Sequence, residues 1–162
     1  EEPNAEMSVV NDLGNLEDIH PNNKQPVAKR LAAHALKNDY GFGNVECESP
    51  VLKDARVENG KFVLSFDHAT GWYVYSPAWS TDCGFEVCGA DGQWKPAVLE
   101  NIEWKTSKDG KKYTRGRVTG TELVVSSADV SAPAKVRYLC GKPRAGILYN
   151  QVCLPLGAFE VK

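Results

Sequence analysis

From Pro50 onward, apolar and polar side chains alternate in short runs, and glycine-bearing turns break the runs at regular intervals. A two-residue period puts one face of each run on a core and the other in water, which is the pattern of half-buried strands. Leu52 to Glu58 and Lys61 to Asp67 flank Asn59-Gly60, a dipeptide suited to the positive φ angles of a two-residue hairpin turn. Phe85 to Cys88 and Trp94 to Leu99 flank Asp91-Gly92, and Ile102 to Thr106 and Tyr113 to Val118 flank Lys108-Asp109-Gly110. Leu123 to Ser126, Ala134 to Leu139 and Ala158 to Val161 supply three further strands. Many short strands closed by tight turns predict an antiparallel β-sandwich over residues 44–162.

Residues 1–43 have a different character. Met7 to Val10 predicts a short buried strand, and Asn15 to Asn23 a polar loop. A helix follows from about Lys24 to Asp39, with Asn22 or Asn23 as N-cap and Pro26 in the first turn, where a missing N–H has no cost. Val27, Leu31 and Ala35, with Ala28, Ala32 and Leu36 beside them, form one apolar stripe. Gly41 can take the left-handed conformation that ends a helix. Strand, loop and helix make one unit of an α/β fold and not a domain, so the stripe needs a partner surface. The predicted fold is therefore mainly β, an antiparallel sandwich preceded by a remnant of an α/β domain.

Bulk properties exclude several functions. A net charge of -2 with scattered basic residues does not suit nucleic acid, and no apolar run reaches the ~20 residues that cross a bilayer. The cluster from Lys108 to Lys112 encloses Asp109 and reads as a solvated turn. The opening residues lack the basic and apolar regions of a signal peptide. Five cysteines, at 47, 83, 88, 140 and 153, leave at least one without an intrachain partner and show no Cys-x-x-Cys zinc spacing. Buried structural thiols, with room for one disulfide, are the expectation, and no cofactor or metal is called for. His34, on the helix, reads as a partly exposed structural histidine, and His68 ends a strand beside a single acid.

Chemistry concentrates in Asp12-Leu13-Gly14-Asn15-Leu16-Glu17-Asp18-Ile19-His20-Pro21. A histidine in a loop after a strand and before a helix, with acids two and three residues earlier, has the parts of a general base and its orienting carboxylate. The stretch from Asp12 to Leu36 resembles the last block of bacterial sialate O-acetylesterases, which reads Asp-Ile-His-Pro-x-Asn-Lys-x-x-Val-x-x-Arg-Leu-Ala. Asp18, Ile19, His20, Pro21, Asn23, Lys24, Val27, Arg30, Leu31 and Ala32 occupy the matching positions. Leu64 to His68, Phe85 to Val87, Gly89 to Gly92, Val136 to Tyr138 and Leu148 to Asn150 resemble the family's C-terminal β-domain.

The resemblance implies hydrolysis of acetyl esters on sialic acids or related glycans by a serine–histidine pair on an SGNH-type α/β domain. His20 would be the general base and then the general acid, with Asp18 orienting it. Glu17 stands where the wider SGNH pattern puts the acid. The sequence contains no Gly-Asp-Ser nucleophile block, so the expected partners are an acetylated glycan and the N-terminal SGNH portion of the same protein. The isolated chain is expected to be inactive, and the family implies a bacterial periplasmic or extracellular location.

Trp72, Tyr73, Tyr75 and Trp79 form an aromatic cluster. Rings of this kind either pack or stack on sugars, so Trp72, Tyr75 and Trp79 are the candidate substrate contacts. A second function class follows from them, a non-catalytic carbohydrate-binding or adhesion module with the first forty residues as linker. The agreement of asparagine cap, Pro, apolar stripe and glycine stop argues against a linker.

Overall fold

The computed structural model describes residues 5–14, 18, 20, 22–76, 81–105, 114–140 and 147–162. Among the described residues one helix, α1 (Gln25–Asn38), precedes eleven strands: β1 (Val51–Glu58), β2 (Lys61–Asp67), β3 (Tyr73–Ser76), β4 (Phe85–Cys88), β5 (Trp94–Leu99), β6 (Ile102–Lys105), β7 (Thr114–Val118), β8 (Leu123–Ser126), β9 (Lys135–Tyr138), β10 (Ile147–Tyr149) and β11 (Phe159–Val161). They form a seven-stranded sheet in the order β1-β2-β8-β5-β4-β9-β11 and a four-stranded sheet in the order β10-β3-β7-β6. Every strand pairing is antiparallel.

Local sequence chemistry explains the hairpins. Asn59 and Gly60 both have positive φ, 49° and 76°, so β1 and β2 close through the turn that Asn-Gly favours, with Glu58 opposite Lys61. Gly92 has φ of 74° between β4 and β5. The turn of residues 106–113 lies outside the described residues, yet the strands it joins pair from Ile102–Val118 to Lys105–Arg115.

One apolar core is shared by both sheets. Phe62, Leu64, Phe85, Val87, Leu99, Leu123, Val125, Val136 and Tyr138 come from the larger sheet, and Val74, Val118 and Leu148 from the smaller. Each such side chain contributes about 1.5–3 kcal/mol on burial. Tyr138 is fully buried and its hydroxyl accepts a hydrogen bond from the Leu148 N–H at 3.0 Å, linking the two sheets. Burial pushes its phenol pKa up. On the smaller sheet, Gly116 lies where a Cβ would meet Ile102 Cδ1 at 2.3 Å, so β7 stays bare there to admit the side chains of β6.

Several expectations need correction. Met7 to Val10 is not a strand: Met7 and Val10 are exposed and the segment joins no ladder, because no neighbouring strand is there to pair with it. The helix N-cap is Lys24, without a side-chain capping bond, and not Asn22 or Asn23. Gly41 does adopt positive φ, 74°, after the C-cap at Asp39. All five cysteines are free thiols, so the disulfide is absent. Strands β3 and β10 were not expected.

The β1–β2 turn gives a direct test. A Cβ on Gly60 would meet the Ser131 carbonyl oxygen at 2.8 Å while holding a left-handed φ. Gly60→Ala is expected to destabilise the protein by about 2 kcal/mol, read as a lower urea midpoint with an unchanged slope.

Candidate active-site segment

His20 and Asp18 meet at the start of the loop into α1. The His20 backbone N–H donates to Asp18 Oδ1 at 2.8 Å, and His20 Nδ1 lies 3.3 Å from the same oxygen. A carboxylate that accepts from the backbone of the residue it faces is held in place, and its second contact fixes the ring. The arrangement leaves Nε2 directed away from the acid. The His20 side chain is 77% exposed and that of Asp18 49% exposed, so nothing in the described residues covers the pair. Glu17 lies outside the described residues.

What fixes this segment to the sandwich is a group that the sequence reading did not single out. Arg30 of α1 donates from Nη1 and Nη2 to the two Asp12 oxygens, each at 2.7 Å, and from Nη1 to the Val9 carbonyl at 2.8 Å. The Tyr149 hydroxyl of β10 donates to Asp12 Oδ2 at 3.2 Å. Asn11 Nδ2 adds a bond to the Leu156 carbonyl at 2.9 Å. The Arg30 and Asp12 side chains keep only 11% and 5% of their exposure, so this fork-to-fork pair is largely desolvated. Its hydrogen bonds hold the Arg30 pKa above the usual guanidinium value. Burial, reinforced by the Asp12 charge, raises that of Tyr149. The signal that would have found it is a lone arginine between Val27 and Leu31, on the flank of an apolar stripe.

The inward side of the helix is mixed, with polar Arg30, His34 and Lys37 beside half-buried Val27 and Ala33. Arg30, His34 and Lys37 face the rest of the chain, and His34 is its one buried residue. Leu31 is 54% exposed, Leu36 is 39% exposed, and Ala28 and Ala32 are exposed with them. Much of the apolar stripe that called for a partner surface is therefore open along α1, with Val27 and Ala35 half-buried.

The aromatic cluster separates by register. Trp72 is fully buried, meets Phe66 edge-to-face at 5.1 Å and donates its indole N–H to the Thr121 carbonyl at 3.2 Å. Its side chain packs in the core and offers no face to solvent. Trp79 lies outside the described residues. Tyr75 is exposed on the outward face of the smaller sheet, opposite Arg115. Its neighbour two positions back, Tyr73, stacks on Tyr149 at 5.3 Å and has Arg115 5.7 Å above its ring. An open cleft of about 570 Å³ on this face is lined by Tyr73, Glu103, Lys105, Arg115 and Arg117, among others.

Neither a protein-family model nor a curated protein matches the chain. Among solved structures, the carbohydrate acetylesterase XAC1771 from Xanthomonas citri superposes with a TM-score of 0.72 and 32% identity over 96% of this chain. The chain is similar to a carbohydrate acetylesterase. It spans about a third of that protein, 32% of its length. At this identity and coverage the likeness supports an esterase-like relationship as well as the fold.

The ion pair predicts how the segment comes loose. Asp12→Ala leaves Arg30 a buried cation without its partner and is expected to weaken docking of α1 by about 3 kcal/mol. Tyr149→Phe removes one hydrogen bond and costs about 1 kcal/mol. Hydrogen exchange should show faster α1 amides in that order, with the β9 amides still protected.

Proposed function

We propose that residues 1–43 are the closing segment of an SGNH-type catalytic domain, and that the chain is the C-terminal part of a carbohydrate O-acetylesterase. Its parent would remove acetyl groups from sialic acids or related glycans, outside the cytoplasm of a bacterium. The observation that carries the reading is the exposed Asp18–His20 pair beside an uncovered apolar helix face, in a chain similar to a carbohydrate acetylesterase. A helix that offers Leu31 and Leu36 to solvent gains its burial from another surface, and the upstream catalytic portion is the surface proposed.

In this reading His20 Nε2 takes the proton of a serine hydroxyl supplied by that upstream portion, as the hydroxyl oxygen attacks the acetyl carbonyl. It returns the proton to the departing sugar hydroxyl. The resulting acetyl-enzyme is then hydrolysed by a water that His20 deprotonates in the same way. Asp18, against Nδ1, orients the ring and stabilises the imidazolium while it holds the proton. The chain alone has no nucleophile of this kind and would be inactive.

A second reading rests on the cleft of the smaller sheet. Exposed Tyr75, with Tyr73 and the Arg115 and Arg117 guanidiniums, offers a ring and hydrogen-bond donors to a glycan, which suits a carbohydrate-binding module.

Turnover of p-nitrophenyl acetate separates the readings, measured on this chain and on the chain extended upstream in its natural reading frame. Activity is expected only in the longer form. His20→Ala should lower kcat by at least about 10³-fold and Asp18→Asn by about 10- to 100-fold, both with native folding. Failure of the longer form to turn over, or full activity in the His20 variant, contradicts the esterase reading.

A further inference from the structure

At the C-terminal half of α1, three separate stretches of chain bring metal-ligating groups together. A ring nitrogen of His34, the Cys47 sulfur and a Glu48 carboxylate oxygen all lie within 4.8 Å of one another. Glu6, from the N-terminal segment, places Oε2 3.5 Å from His34 Nδ1, while its Oε1 accepts from Asn38 Nδ2 at 2.8 Å. We propose that His34, Cys47 and Glu48 form a structural site for a zinc-class divalent cation, with the Glu6 carboxylate beside it.

A second, independent feature points the same way. His34 is 96% buried, and its Nδ1 makes no hydrogen bond, the Glu6 carboxylate lying 3.5 Å away. An orphaned buried ring nitrogen costs about 1–3 kcal/mol, and a Lewis acid is one group that satisfies it. Nitrogen, thiolate and carboxylate together are the donor set of a borderline-soft ion, and calcium or magnesium would demand oxygen ligands throughout. The spacing also fits. Metal–ligand distances near ~2.0–2.3 Å in a tetrahedron imply ligand–ligand edges of about 3.3–3.8 Å. The three ligand atoms lie within 4.8 Å of one another, and Cys47 Sγ lies 3.4 Å from Glu48 Oε1, one such edge.

Charge supports the assignment as well. Two carboxylates, of Glu6 and Glu48, face one ammonium, Lys37, whose Nζ is 3.9 Å from Glu48 Oε1. The surplus is negative, and a divalent cation balances it. Binding replaces the S–H bond of Cys47 by a metal–sulfur bond and releases one proton to solvent. The ion would tie α1 to the stretch that leads into β1. Arg30 ties the same helix through the preceding turn. The inference does not depend on the esterase reading.

Cobalt(II) chloride and zinc chloride, added to the metal-stripped chain of 162 residues, provide the test. One equivalent of cobalt should produce visible absorption of tetrahedral intensity with a near-ultraviolet sulfur-to-cobalt band, and zinc should displace both. His34→Gln and Glu48→Gln should each weaken binding about tenfold or more, and Cys47→Ser should abolish the sulfur band. If a variant fails to fold, alkylation of the unaltered chain decides: zinc should slow modification of Cys47 and leave the exposed Cys140 and Cys153 unaffected. Weak octahedral absorption, a sulfur band that survives Cys47→Ser, or alkylation of Cys47 indifferent to zinc would overturn the proposal.

Discussion

The Asp12–Arg30 ion pair is the joint on which the placement of the His20 segment depends. It lies between α1 and the turn before the histidine loop, and Tyr149 carries the connection into the smaller sheet. A pair so poorly hydrated is not a strong source of net stability, because removing both charges from water offsets much of their attraction. Its effect is specificity. Two parallel N–H···O bonds at 2.7 Å fix the angle and register of the helix in a way that apolar contact alone would not.

That geometry explains the orientation of α1. Once Arg30 faces inward, the helical repeat carries His34 and Lys37 inward with it and turns Leu31, Ala32 and Leu36 outward. The sandwich therefore completes its own core without the helix. A helix docked by a mixed face and open along much of its apolar stripe has the form of a joint between two bodies, and the Asp18–His20 pair lies in the loop that leads into it. The proposed active site would assemble along this joint, with the histidine supplied from one side and the serine from the other.

Much of the sandwich was legible where local chemistry decides structure. Asn59-Gly60 sets its own turn, and Phe85 to Cys88, Trp94 to Leu99 and Leu123 to Ser126 are the strands the alternation predicted. Strands β3 and β10 were not legible. At four and three residues they are too short to show a period, and they are set by distant partners, β10 by β3 from more than seventy positions away and β3 by β7 as well. The burial of Trp72 against the exposure of Tyr75 follows from that unseen register. The approach of Asp18 to His20 could be read from their spacing, whereas the role of Arg30 could not. An amphipathic pattern says that one face of a helix is apolar, and it does not say which face this chain covers. His34 followed from the same choice, since the turn that buries Arg30 also buries the residue four positions on.

The account rests on the apolar stripe of α1 belonging to an interface with an upstream catalytic portion. Leu31→Arg tests this most directly, with chemical stability measured in the chain alone and in the upstream-extended protein. In the chain alone Leu31 is half exposed, and the change should stay within about 0.5 kcal/mol. In the extended protein the same substitution places a charge in a buried contact and should cost about 3 kcal/mol or more. A neutral result in both forms would contradict the account, because the stripe would then be surface in the whole protein as well.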